Sequence, residues 1–300
     1  ISKINQIQFS ENGSFESNVG FTLLEGVSRI SNAIEQADGK IITFIENRTN
    51  TFDCAFVRYN SNGSIDTSFG NNGMLVIGQG VQNKMISRNN GKLAVSYLNS
   101  PNIYGYNSDG TPDNTFGTNG AVNIDQLNSI ASNVSAFTSS ADGSIYVATS
   151  TNSGTFGLLK ILPNGTVDNS FGTNGITSIS FNFFPNNNVE IPTDVMLLSD
   201  GRIILAGILR FSGQIAVTGI CCFLPNGTVD TSFGTNGKIT IQHGNLTSPS
   251  SLIHFENDSF AVNNFSSDFN KYIMTKFSSN GLIDTNFSFD STPNLYGIYS

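Results

Sequence analysis

The chain contains two histidines, His243 and His254, and three cysteines, Cys54, Cys221 and Cys222. Neither set has the spacing of a metal site, which asks for His or Cys pairs only a few residues apart. Cys221 and Cys222 are neighbours in a strand-like run, so they are expected on opposite faces as buried thiols. No Gly-x-Ser-x-Gly elbow, His-Glu-x-x-His helix or Gly-Lys-Ser/Thr phosphate loop occurs. The carboxylates that recur are Asp66, Asp113, Asp168, Asp230 and Asp284, each at the same place in a short repeated motif. Repeated carboxylates can bind calcium. No Asp-x-Asp-x-Asp-Gly spacing accompanies these, however, and an Asp ahead of a turn ordinarily accepts bonds from nearby backbone amides. The expectation is therefore a structural Asp and no cofactor, with calcium as the alternative.

The motif has five good copies. They are Asn62-Gly-Ser-Ile-Asp66-Thr-Ser-Phe69-Gly70, Asp109-Gly-Thr-Pro-Asp113-Asn-Thr-Phe116-Gly117 and Asn164-Gly-Thr-Val-Asp168-Asn-Ser-Phe171-Gly172. Asn226-Gly-Thr-Val-Asp230-Thr-Ser-Phe233-Gly234 and Asn280-Gly-Leu-Ile-Asp284-Thr-Asn-Phe287 follow, the last with Ser288 in place of Gly. A degenerate copy, Asn12-Gly-Ser-Phe-Glu16-Ser-Asn-Val19-Gly20, stands at the front. The Phe residues are expected to fill the gap between neighbouring repeats.

Midway between motifs, Asp38-Gly39, Asn90-Gly91, Asp142-Gly143 and Asp200-Gly201 separate short apolar runs, and Asn257-Asp258 takes that place in the last unit. Such dipeptides between β-type runs signal tight hairpins, type I′ turns having positive φ at both central residues. No window combines a 3.6-residue period with helix caps. Each unit reads as four strands: A after the motif, B and C around the hairpin, and D leading into the next motif. Four strands per roughly 50 residues is the arithmetic of a β-propeller blade. The expected fold is all-β, one propeller domain over 1–300, with repeats at 20–66, 73–113, 120–168, 175–230 and 237–284. Six D-to-A links against five hairpins favour six blades, the last built from 1–16 and 288–300; five blades with stray terminal strands is the alternative.

The motif resembles that of the delta-60 repeat family, whose units carry Asn/Asp-Gly-x-x-Asp-x-Ser/Thr-Phe-Gly-x-x-Gly. The resemblance runs from about Ile4 to Ser288 and departs at Val19 and Ser288. It implies propeller blades and a surface or exported protein, with no reaction attached to the family as such.

Composition narrows the function further. A net charge of −8 from 14 Lys+Arg and 22 Asp+Glu lacks the basic footprint of a nucleic-acid binder. No apolar run approaches the roughly 20 residues needed to cross a bilayer, so no membrane insertion is expected. The chain opens at Ile1 without a leader pattern, which reads as a processed start or an excerpt. Asn-x-Ser/Thr triplets such as Asn47-Arg48-Thr49 and Asn245-Leu246-Thr247 are available for glycosylation, although a chain with 39 Asn produces them by chance.

Eight residues before the motif Asp stand Arg58, Lys160 and Lys276, with Gly105 and Cys222 in the other two units. Alternation places this position on a solvated outer face. Around a central channel, strand A offers only Asp125 as a carboxylate, which argues for a protein that is not an enzyme. The A–B and C–D loops, which share one face, differ in every unit, and variable loops on a rigid scaffold are where binding concentrates. The longest spans 182–193, and Phe183, Phe184, Asn186, Asn187 and Asn188 are its candidate binding residues. The expected function is a non-catalytic scaffold, outside the cell or on a surface, that presents loops to a protein or glycan. A propeller enzyme with a site assembled from several blades is the alternative.

Overall fold

The computed structural model describes residues 29–46, 53–79, 82–97, 100–127, 134–182, 189–210, 216–242, 251–266 and 271–287. They form five antiparallel sheets whose strands follow chain order. The first comprises β1 (Arg29–Glu35), β2 (Ile41–Glu46), β3 (Asp53–Tyr59) and β4 (Met74–Gln79). The second comprises β5 (Gln82–Ser87), β6 (Leu93–Tyr97), β7 (Asn102–Tyr106) and β8 (Ala121–Asn123), followed by one helical turn, α1 (Ile124–Leu127). The third comprises β9 (Ala136–Ser139), β10 (Ile145–Ser150), β11 (Phe156–Ile161) and β12 (Ile176–Ile179). The fourth comprises β13 (Val189–Leu197), β14 (Ile203–Arg210), β15 (Val217–Phe223) and β16 (Lys238–Ile241). The fifth has three strands among the described residues, β17 (Ser251–His254), β18 (Phe260–Ser266) and β19 (Lys271–Phe277).

The four four-stranded sheets therefore have the order B-C-D-A, one strand out of phase with the repeats expected from the sequence. The motif does not carry the chain to the next sheet. It closes a hairpin inside one sheet, between β3 and β4 for example, and the A–B loop makes the crossing. The first strands of successive sheets touch one another: β1 meets β5, β5 meets β9, β9 meets β13 and β13 meets β17. They form the inner edge, and the strands after the motif form the outer one.

The middle strands are apolar on both faces, as a sheet covered on both sides requires. In β14 one face gives Ile203, Leu205 and Leu209 to the core shared with the third sheet, and the other gives Ile204 and Ala206 to the core shared with the fifth. Cys221 and Cys222 divide the same way, as alternation predicts. Four such cores join the five sheets, and each contains one motif phenylalanine: Phe69, Phe116, Phe171 or Phe233. At roughly 1.5–3 kcal/mol per buried large side chain, these cores supply the main adhesion between sheets. The motifs also bond to each other: Gly117 N–H donates to Asn164 O (2.8 Å), Gly172 to Asn226 O (2.8 Å) and Gly234 to Asn280 O (3.2 Å).

The hairpin turns differ in part from the expected type I′. Only Asn90–Gly91 and Asn257–Asp258 have positive φ at both residues. In the first, third and fourth sheets the Gly alone is left-handed. There the preceding Asp side chain accepts the N–H two residues on: Asp38 from Lys40, Asp142 from Ser144 and Asp200 from Arg202.

Candidate functional site

The motif carboxylates are all engaged. Oδ1 of Asp66 accepts from the hydroxyl (2.5 Å) and N–H (3.1 Å) of Ser68, and Thr115, Ser170 and Ser232 repeat both bonds at Asp113, Asp168 and Asp230. The second oxygen takes a cation. In three sheets this comes from the end of the third strand: Arg58–Asp66 (2.8 Å), Lys160–Asp168 (2.8 Å) and Lys276–Asp284 (3.3 Å). This position is not the solvated outer face read from alternation, because the motif folds back over the strand and covers it. Where it is Gly105 or Cys222, the residue after the hairpin substitutes: Lys92 reaches Asp113 (2.9 Å) and Arg202 reaches Asp230 (3.3 Å). That complementarity could have been read from the sequence and was missed.

The Ser68 hydroxyl, ahead of Lys40, holds the Asp66 carboxyl well below the usual range. Lys160 and then Ser170 lower the Asp168 carboxyl. At Asp113 and Asp230 burial is the largest influence and pushes upward. It is outweighed by Thr115 with Lys92 and by Ser232 with Arg202, so both remain lowered. A calcium ion here would have to displace a bound ammonium or guanidinium. Among the described residues no three His, Cys, Asp or Glu converge as metal ligands. Burial also pushes the Cys222 thiol up to about 12, which makes it a poor nucleophile.

A second polar group lies on the inner edge. Asn32, Lys84, Ala136, Asp194 and Ser251 each stand seven residues before the second residue of their hairpin pair, so they are equivalent positions on the five first strands. Three of these strands carry a register shift just before that position, at Ile30/Asn32, Gln82/Lys84 and Pro192/Asp194. Such bulges re-aim side chains. Lys84 of the second sheet pairs with Asp194 of the fourth at 2.7 Å. The small Ala136 occupies the equivalent place in the third sheet between them. The other Asp194 oxygen accepts Leu252 N–H of the fifth sheet (2.9 Å), and Asn32 Nδ2 donates to Met85 O (3.1 Å). The channel expectation built on Asp125 is thus corrected: Asp125 lies in α1 beyond the outer strand, and the inner edge offers Lys84 and Asp194 instead.

This layer lies toward the A–B loop end of the inner strands. Phe183, Phe184, Asn186, Asn187 and Asn188 fall outside the described residues, but both ends of their loop are built. The buried Glu190 carboxylate accepts Phe181 N–H (2.9 Å), Asn182 N–H (3.2 Å) and the Ser180 hydroxyl (3.1 Å). Burial raises its pKa against those bonds. Lys238 donates to Ser180 O, and Phe181 packs edge-on to Phe156 at 5.1 Å. His254, half-exposed, contacts Asp258 at 3.1 Å, and Asp258 accepts Ser199 of the fourth sheet. The hydroxyl bonds to the carboxylate rather than to the imidazole, so this is a link between hairpins and not a nucleophile–base pair.

Three segments, 47–69, 140–171 and 198–233, match the model of a domain of unknown function described as a β-propeller, DUF5122. No curated protein matches the chain. Among solved structures, an aldose sugar dehydrogenase from Streptomyces coelicolor aligns at 12% identity and a TM-score of 0.48, over 84% of this chain and 81% of that one. The β-propeller domain of the Trilobed protease from Pyrococcus furiosus aligns at 8% and 0.43, over 86% and 73%. Hsv2 of Kluyveromyces lactis aligns at 11% and 0.42; the match covers 85% of this chain and 61% of that longer one. The expectation of a protein that is not an enzyme does not stand, because structures of similar fold include enzymes such as the dehydrogenase. Likenesses this distant assign no reaction. Sheet order, shared inter-sheet cores and the family match make the chain a β-propeller repeat protein.

Proposed function

We propose that this is a surface or exported propeller of the delta-60 type that binds a protein or glycan on its A–B/C–D loop face. The contrast between the two faces carries this reading. On the hairpin and motif face the motif Asp recurs at Asp66, Asp113, Asp168, Asp230 and Asp284, and each is met by a basic residue. Toward the loop face, equivalent inner positions hold Asn32, Lys84, Ala136, Asp194 and Ser251, and repetition alone does not produce such divergence. Phe183, Phe184 and Asn186 to Asn188 are apolar and amide side chains of the kind such binding uses, and the reading requires no metal. The test is a glycan array and partner pull-down with the wild type and with the 182–193 loop replaced by a short turn. Loss of binding with unchanged circular dichroism is expected; binding that survives the replacement overturns the reading.

A site assembled from several blades is favoured by one observation, the Lys84–Asp194 pair contributed by the second and fourth sheets. If that reading holds, array glycans are converted to new products by the wild type and not by Asp194→Asn. We further propose six blades. Residues 1–16 and 288–300, outside the described residues, are the segments left to contribute to the closing blade.

A further inference from the structure

Four of the five motifs run on into a second Asn-Gly: Asn72-Gly73, Asn119-Gly120, Asn174-Gly175 and Asn236-Gly237. Both residues of each pair have positive φ, between 51° and 90°, the geometry of a type I′ hairpin turn. The residues on either side of the turn exchange both backbone hydrogen bonds. Asn71 N–H donates to Met74 O (2.7 Å), and Met74 N–H donates to Asn71 O (3.2 Å). Thr118 with Ala121, Thr173 with Ile176 and Thr235 with Lys238 repeat the exchange. Met74, Ala121, Ile176 and Lys238 are the first residues of β4, β8, β12 and β16, the outermost strands of their sheets. The carbonyl just before each of these residues turns inward: Gly73 O accepts Arg58 N–H and Gly175 O accepts Lys160 N–H, both at 3.0 Å. Successive residues of a strand alternate in direction, so the backbone groups of Met74 point away from β3 toward the open edge. There the chain's own Asn71 has taken them.

An open edge strand is a template on which another chain can add a strand. The same alternation makes Val76, Asn123, Ser178 and Thr240 the next outward-facing residues, each two places beyond the one already paired. Three of them are polar and lie in strands of three or four residues. Val76 is apolar and 59% exposed, and it belongs to a six-residue strand without a charge. A bulge follows at once, where the register shifts opposite Cys54 and Ala55, and bulges spoil an edge for pairing. Met74 to Val76 is therefore the stretch left to protect. We propose that the Asn72–Gly73 turn is an autoinhibitory contact: it occupies the edge of β4 that would otherwise pair antiparallel with β4 of a second copy of this chain. A two-fold axis through such a pair sets the strand against itself, so the edge supplies its own partner. This contact lies at the outer rim and does not depend on the function proposed above.

The test is light scattering after size exclusion, at low and high protein concentration. Asn72→Val puts a β-branched side chain at φ 51°, where such residues are outliers, so the turn opens. Its weight-average mass is expected to rise with concentration to about twice the wild-type value measured alongside, with a new intermolecular-strand band in the infrared amide I region. Asn236→Val places the same strain in the fourth sheet, where the open residue is Thr240, and should keep the wild-type mass. That comparison separates release of the edge from a general loss of stability. Adding Val76→Lys to Asn72→Val should restore the wild-type mass, because a charged edge resists pairing. If Asn72→Val does not give folded protein, Asn72→Ala, a milder change at the same backbone angle, is read in the same way. Wild-type mass in the folded Asn72 variant at both concentrations, equal association of Asn236→Val, or association that survives Val76→Lys overturns the proposal.

Discussion

At the residue scale the motif Asp is both an acceptor for its own turn and the counter-ion of a basic side chain. The carboxyls of Asp66, Asp113, Asp168 and Asp230 hold their protons less tightly in the fold than free Asp, whose pKa is about 3.9. Their stabilisation is therefore complete above that value and is lost as pH falls through it toward the lower folded values. The urea midpoint should stay level from pH 7 to 5 and drop below pH 4, with a smaller drop in Asp168→Asn; a midpoint level down to pH 3 would contradict the assignment. Glycines separate two effects at the same scale. Gly39 and Gly227 have similar positive φ, 77° and 87°. A Cβ on Gly39 meets Ser61 at an ordinary 3.5 Å, while one on Gly227 meets Gly172 N at 2.7 Å. Gly39→Ala should cost about 1–2 kcal/mol of backbone strain. Gly227→Ala should cost clearly more, because it also drives apart the bond between neighbouring motifs. Equal losses in chemical denaturation would show that the motif contact is unimportant.

At the scale of the element, the cation can come from the end of the third strand or from the residue after the hairpin, and sheets differ in how many they use. Asp168 pairs with Lys160 alone among the described residues, while Asp66 keeps Arg58 when Lys40 is removed. Lys160→Met should therefore cost about 2 kcal/mol, the scale of a hydrogen bond to a charged group. Lys40→Met should cost under about 0.5 kcal/mol in the same urea titration, as exposed pairs do; the reverse order would contradict the pairing. These elements also show how far the sequence could be read. Asp-Gly and Asn-Gly dipeptides, with Asn257-Asp258 in the last unit, located the hairpin between the first two strands of each described sheet, and the spacing of Asp66 to Asp284 located the motifs, because turn chemistry is local. Which strands share a sheet was not local: a motif that bridges blades and one that closes a hairpin have the same residues, and only hydrogen bonding between β3 and β4 distinguishes them. The Lys84–Asp194 pair escaped for the same reason, being 110 residues apart and joined only through the arrangement of whole sheets.

At the scale of the molecule, the first sheet has two covered faces but one described neighbour. Ile45, Ala55, Val57 and Tyr59, all buried, form a cluster with Ile41, Ile65 and Met74 of their own sheet, on the side turned away from the second. The six-blade proposal makes residues 1–28 the segment to test against this face. Deleting them should lower Tm by several degrees and promote self-association through the bared face; an unchanged, monomeric protein would favour five blades with stray strands instead. The strictly sequential order of strands in every sheet has one more consequence, for how the chain is made. Nearly all its pairing joins segments adjacent in sequence, so loop closure is inexpensive and each sheet is complete once its own fifty or so residues have left the ribosome. Folding can then proceed during synthesis, sheet upon sheet, each finished face serving as template for the next.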